Sequence, residues 1–134
     1  MALMYTPPGE LGSLCPNFDL PGTDGNHYSR EDFSGKSAFL FMVICNHCPY
    51  VKAIENRLVK LAEHFKDKDV AFAALSANDA DHYPEDSFEK MKEKNYPFPY
   101  LYDETQAVAR NLGAAGRTPS NRVSIARLSS CLVT

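Results

Sequence analysis

Cys45 and Cys48 stand three positions apart, with Asn46 and His47 between them and Pro49 behind. Two thiols at that spacing can form a reversible disulfide, supply half of a metal site, or sit inert in a core. A zinc ion takes four ligands. His47 offers a third, but its neighbours offer no natural fourth, and His27, His64 and His82 are scattered. Disulfide exchange is favoured because of where the pair sits. An apolar strand runs into Cys45 and a helix follows, so Cys45 is expected in the first helical turn. Unpaired N–H groups and the positive end of the helix dipole favour a thiolate there. A protonated His47 would add to that effect. Cys48 is expected on the same helical face as Cys45, and Pro49 suits a first turn because its missing N–H costs little. The expected chemistry has an exposed Cys45 attacking a partner's disulfide, after which Cys48 attacks Cys45 and releases the reduced partner.

The elements that must hold this motif can be read on either side of it. Ser37 to Ile44 is apolar without alternation, as in a strand buried on both faces at the centre of an α/β sheet. Ile54, Leu58, Leu61, Ala62 and Phe65 recur at helical spacing after the motif. Val70 to Leu75 reads as a second central strand, and Asp86 to Lys94 as a polar helix. Pro97 to Tyr102 reads as extended, because each proline excludes a helix at the residue before it. Asp103 is expected to cap a helix from Glu104 to about Leu112, ended by Gly113. Ahead of these, Asn17 to Leu20 and Asn26 to Ser29 flank an Asp24-Gly25 turn and read as a hairpin. Alternating strands and helices imply parallel crossovers.

The 134 residues fit one domain, and 44% hydrophobic with 23% charged residues is globular composition. Net charge is −3 and no basic run is present, which argues against a nucleic-acid partner. No apolar stretch approaches the ~20 residues of a membrane-spanning helix. Met1 to Pro8 lacks the basic start and apolar run of a secretory leader, so a cytoplasmic location is expected. Cys15 and Cys131 are isolated, and four cysteines spaced this way do not read as a disulfide scaffold. Asp79, Asp81, Glu85 and Asp86 read as a solvated acidic loop, since their spacing does not match a calcium loop. Tyr50, Tyr83, Tyr96, Tyr100 and Tyr102 read mainly as packing residues, with a peptide groove as the alternative.

Several segments together resemble the thioredoxin-like redoxins, the superfamily that includes the alkyl hydroperoxide reductase/thiol-specific antioxidant proteins. They are the opening Leu11-Gly12-Ser13-Leu14-Cys15-Pro16-Asn17-Phe18-Asp19-Leu20-Pro21, Asp24-Gly25, Asp32-Phe33-Ser34-Gly35-Lys36, Cys45 through Val51, and Asn78-Asp79 through Ser87. The Cys45-Asn46-His47-Cys48-Pro49-Tyr50-Val51 stretch is close to one bacterial subgroup. The resemblance implies a thioredoxin-like α/β fold, a central mixed sheet flanked by helices with an added N-terminal β-hairpin. It implies Cys45 as nucleophile and Cys48 as resolving cysteine; the reading taken from the residues adds no bound cofactor and no metal. Cys15 stands where the family has a small residue and is expected to be structural. Cys48-Pro49 is also similar to the family's peroxide-reactive cysteine, but Cys45 stands where those members carry threonine, which favours dithiol exchange over a peroxidase.

Thr118-Pro119 matches the family's cis-proline pair, which would present its backbone to the substrate beside the cysteines. One domain is therefore expected over 1–134, family-like over about 11–119, with an atypical tail at 120–134 and an incomplete C-terminal part. Val123, Ile125 and Leu128 could form one short strand there, and Cys131 has no assigned role. A reading frame or chain end that differs from the family's is expected, and sequencing the gene and its downstream DNA would check it. An uncovered sheet edge would then invite dimerisation. The functional expectation is a thiol–disulfide oxidoreductase acting on protein or small-molecule disulfides. The alternatives are a peroxiredoxin-like peroxidase using Cys48 and a redox-inactive binding module.

Overall fold

The computed structural model describes residues 15–113 and 127–130. Its centre is a four-stranded sheet in the order β5-β4-β3-β6, formed by β5 (Tyr100–Tyr102), β4 (Val70–Ser76), β3 (Ala38–Val43) and β6 (Arg127–Ser130). The first three are mutually parallel, and β6 runs antiparallel to β3, so the sheet is mixed as expected. Ahead of it, β1 (Asp19–Pro21) and β2 (His27–Ser29) pair antiparallel as the expected hairpin. The tight turn between them relies on Gly25, at φ +88°. The hairpin also seals part of the outer edge of β5, where Thr23 N–H donates to the Tyr100 carbonyl at 3.0 Å.

β3 is buried on both faces, which explains its unbroken apolar run. Phe39, Phe41 and Val43 enter one core with Cys15, Phe18, Leu20, Phe33 and Leu75. Met42 and Ile44 enter the other, with both motif cysteines, Val51, Leu58 and Tyr100. Neighbouring strands alternate bulk: Phe41 lies beside Ala73 and Met42 beside Ala74, and Ala74 in turn leaves room for Tyr100. Large residues on one strand thus fill the space left by alanines on the next. Cys15 is buried in the core across the sheet from the motif, in keeping with a structural part.

Helix α1 (Pro49–His64) follows the motif, with Pro49 at its first turn. It buries Val51, Leu58 and Ala62, whereas Leu61, expected inward, is 40% exposed. The expected helix over Asp86 to Lys94 is instead a 3-10 turn at Pro84–Asp86 and then α2 (Phe88–Glu93), capped by Ser87, whose hydroxyl accepts from Lys90 N–H at 3.3 Å. Asp86 is thereby freed from the helix and turned inward. Helix α3 (Ala107–Asn111) is shorter than expected, with Gln106 at its N-cap in the left-handed region. Asp103 still caps it from a distance, accepting Ala109 N–H at 2.8 Å, and Gly113 follows at φ +73°.

β6 pairs along β3 and is the outermost strand on that side of the sheet among the described residues. That strand lies at Arg127–Ser130, later than the sequence pattern places it. Thr118, Pro119 and Cys131 lie outside the described residues. Among those described, no helix is long and apolar enough to cross a membrane.

Candidate active site

Parallel strands end together at one edge of the sheet, and open α/β folds place their sites there. Ile44 N–H donates to the Leu75 carbonyl at 2.9 Å, tying the exit of β3 to the end of β4. The chain then crosses Cys45 to Cys48 before α1 begins. These four residues are not helical, which corrects the expected placement of Cys45 in the first helical turn. The N-cap of α1 is Cys48, in extended geometry at φ −65° and ψ 121°. The helix dipole therefore points at Cys48 rather than Cys45, and the two do not share a helical face. Neither is surface-exposed: Cys45 is 1% and Cys48 4% accessible, where an open Cys45 was expected. No disulfide joins them in this structure.

The residue that organises this loop is Asp86, fully buried at 0% exposure. Its Oδ1 accepts the backbone N–H groups of Asn46 at 2.7 Å and His47 at 3.0 Å. Its Oδ2 accepts the Asn78 amide at 2.8 Å and the ring Nδ1–H of His47. A carboxylate can only accept, so this pairing puts the neutral ring's proton on Nδ1. A buried charge is tolerated when its lone pairs are all used, and here four donors use them. The expectation that Asp86 belongs to a solvated acidic loop is therefore corrected. Its neighbours fit that description better: Asp81 and Glu85 are exposed, and the His82 ring bonds Asp79 and holds that carboxyl below the usual carboxylate range.

Asn46 and His47 both enter this network. The Asn46 amide donates to the Glu85 carbonyl at 2.9 Å and accepts from the Tyr100 hydroxyl at 2.9 Å. The Tyr83 ring stacks on His47 at 4.7 Å with planes 6° apart. Tyr96 lies against Tyr100 at 5.2 Å, and its hydroxyl donates to Glu55 of α1 at 3.0 Å. Lys94 meets the same carboxylate at 3.1 Å. Tyr50, by contrast, points outward at 72% exposure, and Lys52 is exposed. Sequence reasoning missed Asp86, Asn78 and Glu55 as parts of this neighbourhood. The only available sign was the family likeness of Asn78 through Ser87, which fixed no distance to the motif.

Cys45, His47 and Asp86 each present one candidate ligand atom, all within 4.8 Å of one another. Asp86 supplies a carboxylate that the sequence neighbours of His47 do not. Its Oδ2, however, already meets the ring N–H, and a proton-bridged pair has no cation between its members. The donor set as it stands is a hydrogen-bonded constellation.

Burial pushes the Tyr100 hydroxyl well above its ordinary range, with the charges of Tyr96, Cys45 and Asp86 adding to that effect. Burial also raises Tyr96, reinforced by Glu55. Both contributions to stability are full below the unfolded-chain value of ~10 and are lost as pH climbs through the folded values. Thermal midpoints measured from pH 8 to 11 are expected to hold and then fall above ~10. Tyr100→Phe is expected to flatten that fall; an unchanged alkaline limb would contradict the assignment.

The sequence profile of the AhpC/TSA family matches residues 11–126. A 1-Cys peroxiredoxin from Onchocerca volvulus is 32% identical over 119 residues, covering 79% of this chain and 51% of the relative, so the chain spans about half that protein's length. An uncharacterized conserved protein from Geobacillus kaustophilus is 50% identical, with TM-score 0.73, and the match covers 76% of this chain and 57% of that one. The peroxidoxin BcpB of Mycobacterium tuberculosis, at 14% identity, shares the fold alone, with TM-score 0.66 over 89% of this chain and 75% of its own. The family profile spans most of the chain, and with its thioredoxin-like α/β architecture this protein belongs to the AhpC/TSA family.

Proposed function

We propose that this chain is a thiol–disulfide oxidoreductase in which Cys45 and Cys48 form and break a disulfide with each other. The observation that carries the reading is their placement on one short loop between β3 and α1. One thiolate attacks a disulfide in a protein or small molecule, a mixed disulfide forms, and the second thiol resolves it. No bound cofactor is needed, because the electrons come from the two thiols. The compartment in this reading is the cytoplasm, where the sparse cysteines outside the motif stay reduced. Thr118 and Pro119, which the family resemblance adds, lie outside the described residues.

The direct test is chemical. The reduced chain is treated with a small excess of oxidised glutathione and mapped by mass spectrometry. A Cys45–Cys48 peptide lighter by two hydrogens, restored by dithiothreitol, is the expected product. A glutathione adduct persisting on one cysteine would remove the dithiol reading and leave a single reactive thiol, whereas no reaction at either would leave a binding module.

A second reading draws on the position of Cys48. As the N-cap of α1 ahead of Pro49, Cys48 stands where the helix dipole favours a thiolate, and the match to a 1-Cys peroxiredoxin supports peroxide as substrate. In that reading the Cys48 thiolate takes one peroxide oxygen to become a sulfenic acid and releases an alcohol or water. Cys45 then condenses with it, forming the disulfide and a second water.

A further inference from the structure

Asp86 stands 39 positions beyond His47 in the sequence, yet its carboxylate accepts from that residue twice, the backbone N–H on Oδ1 and the ring Nδ1–H on Oδ2. The two oxygens carry different duties. Oδ1 takes the N–H groups of Asn46 and His47 and so fixes the path of the motif loop. Oδ2 takes the His47 ring and the Asn78 amide and so fixes the direction and tautomer of the imidazole. Any acceptor could do the first. Only a group that accepts on both oxygens does the second as well.

We propose that Asp86 is a positioning residue that acts on the thiol chemistry through His47, holding the ring with its proton on Nδ1 so that Nε2 serves as proton acceptor and donor for Cys45. This rests on the dithiol reading above. Cys45 sulfur, a ring nitrogen of His47 and an oxygen of Asp86 all lie within 4.8 Å of one another, a span that one water can bridge. Tyr83 stacks flat on the His47 ring and holds its plane.

The step balances within the groups named. The Cys45 thiol gives its proton to His47 Nε2, and the thiolate attacks a partner's disulfide. A bond forms between Cys45 and one partner sulfur while the partner's S–S bond breaks. The departing sulfur leaves as a thiolate and takes the proton back from the imidazolium. Cys48, losing its own proton to the second departing sulfur, attacks Cys45 and closes the intramolecular disulfide. The partner gains two hydrogens and this chain loses two.

Asp86→Asn separates the two duties. The asparagine carbonyl still accepts the backbone N–H groups, while its amide presents a donor to a ring nitrogen that was donating. Two readouts are set against each other. Nitrogen NMR of His47 is expected to show Nδ1–H in the natural chain and Nε2–H in Asp86→Asn. The rate of glutathione-driven disulfide formation is expected to fall about 10- to 100-fold in Asp86→Asn. In a His47→Gln background the same substitution is expected to cost nothing further, because its effect passes through the ring. Equal losses in both backgrounds would make Asp86 merely structural and overturn the proposal, as would an Nε2–H tautomer in the natural chain. That last measurement holds even if Asp86→Asn fails to fold. A natural chain that forms no Cys45–Cys48 disulfide would instead sink the dithiol reading itself, and His47 tautomers as expected would show the positioning role to be intact.

Discussion

Cys45→Ser is expected to abolish dithiol exchange, with the rate of disulfide reduction falling about 1,000-fold or more, on the order of 4 kcal/mol of barrier. A serine hydroxyl is too weak an acid and nucleophile to replace the thiolate under the same conditions. Cys48→Ser is expected to behave differently. The first attack survives, so a mixed disulfide with the partner accumulates on Cys45 and turnover stops there. The trapped species is visible by mass spectrometry as the chain plus one partner thiol. The peroxide reading predicts the reverse assignment. There Cys48→Ser ends peroxide consumption, while Cys45→Ser keeps the first turnover and leaves a sulfenic acid on Cys48. Running both variants against both substrates decides which cysteine attacks first. The structure makes that question sharp, because the helix start favours Cys48 while His47 and Asp86 gather near Cys45.

The second large effect is on stability. Phe41 is 0% exposed at the centre of β3, with its ring 4.9 Å from Phe18 and 5.2 Å from Phe39. Phe33 continues the cluster, stacked on Phe39 at 4.4 Å. Phe41→Ala removes a ring from a close-packed interior and leaves a cavity that β3, fixed by strands on both sides, cannot collapse. The expected cost is about 3–5 kcal/mol, a large share of the ~5–15 kcal/mol that holds a domain folded. The thermal midpoint should drop on the order of 10–20 °C by calorimetry. Leu61→Ala, on the exposed side of α1, should change stability by less than ~0.5 kcal/mol. Similar losses for the two would mean that the aromatic cluster is not the principal core. The cysteines sit in the opposite core, so folded Phe41→Ala protein should keep its thiol chemistry.

Much of this protein was written in local sequence. The unbroken apolar run of β3 and the Asp24-Gly25 turn each depend on a few adjacent residues, and each formed where expected. The motif was legible for the same reason: the spacing of Cys45 and Cys48 is a covalent fact. Exposure and charge environment are not local. The sequence suggested an open Cys45 inside a helix, but the helix begins only at Pro49 and both cysteines are buried in the core that its Val51 and Leu58 enter. Asp86 shows the limit most clearly. Among Asp79, Asp81 and Glu85 it looks like one more solvated carboxylate, and a preference for water is the default for its type. Only the return of the chain after β4, which brings residue 86 back against residues 46 and 47, supplies three of the four N–H donors that make its burial favourable, Asn78 giving the fourth. The thiol pair, and the strand and helix on either side of it, are legible in adjacent residues. The tertiary structure decided which carboxylate, amide and rings surround that pair, because hydrogen bonds between segments tens of residues apart exist only once the sheet has brought those segments together.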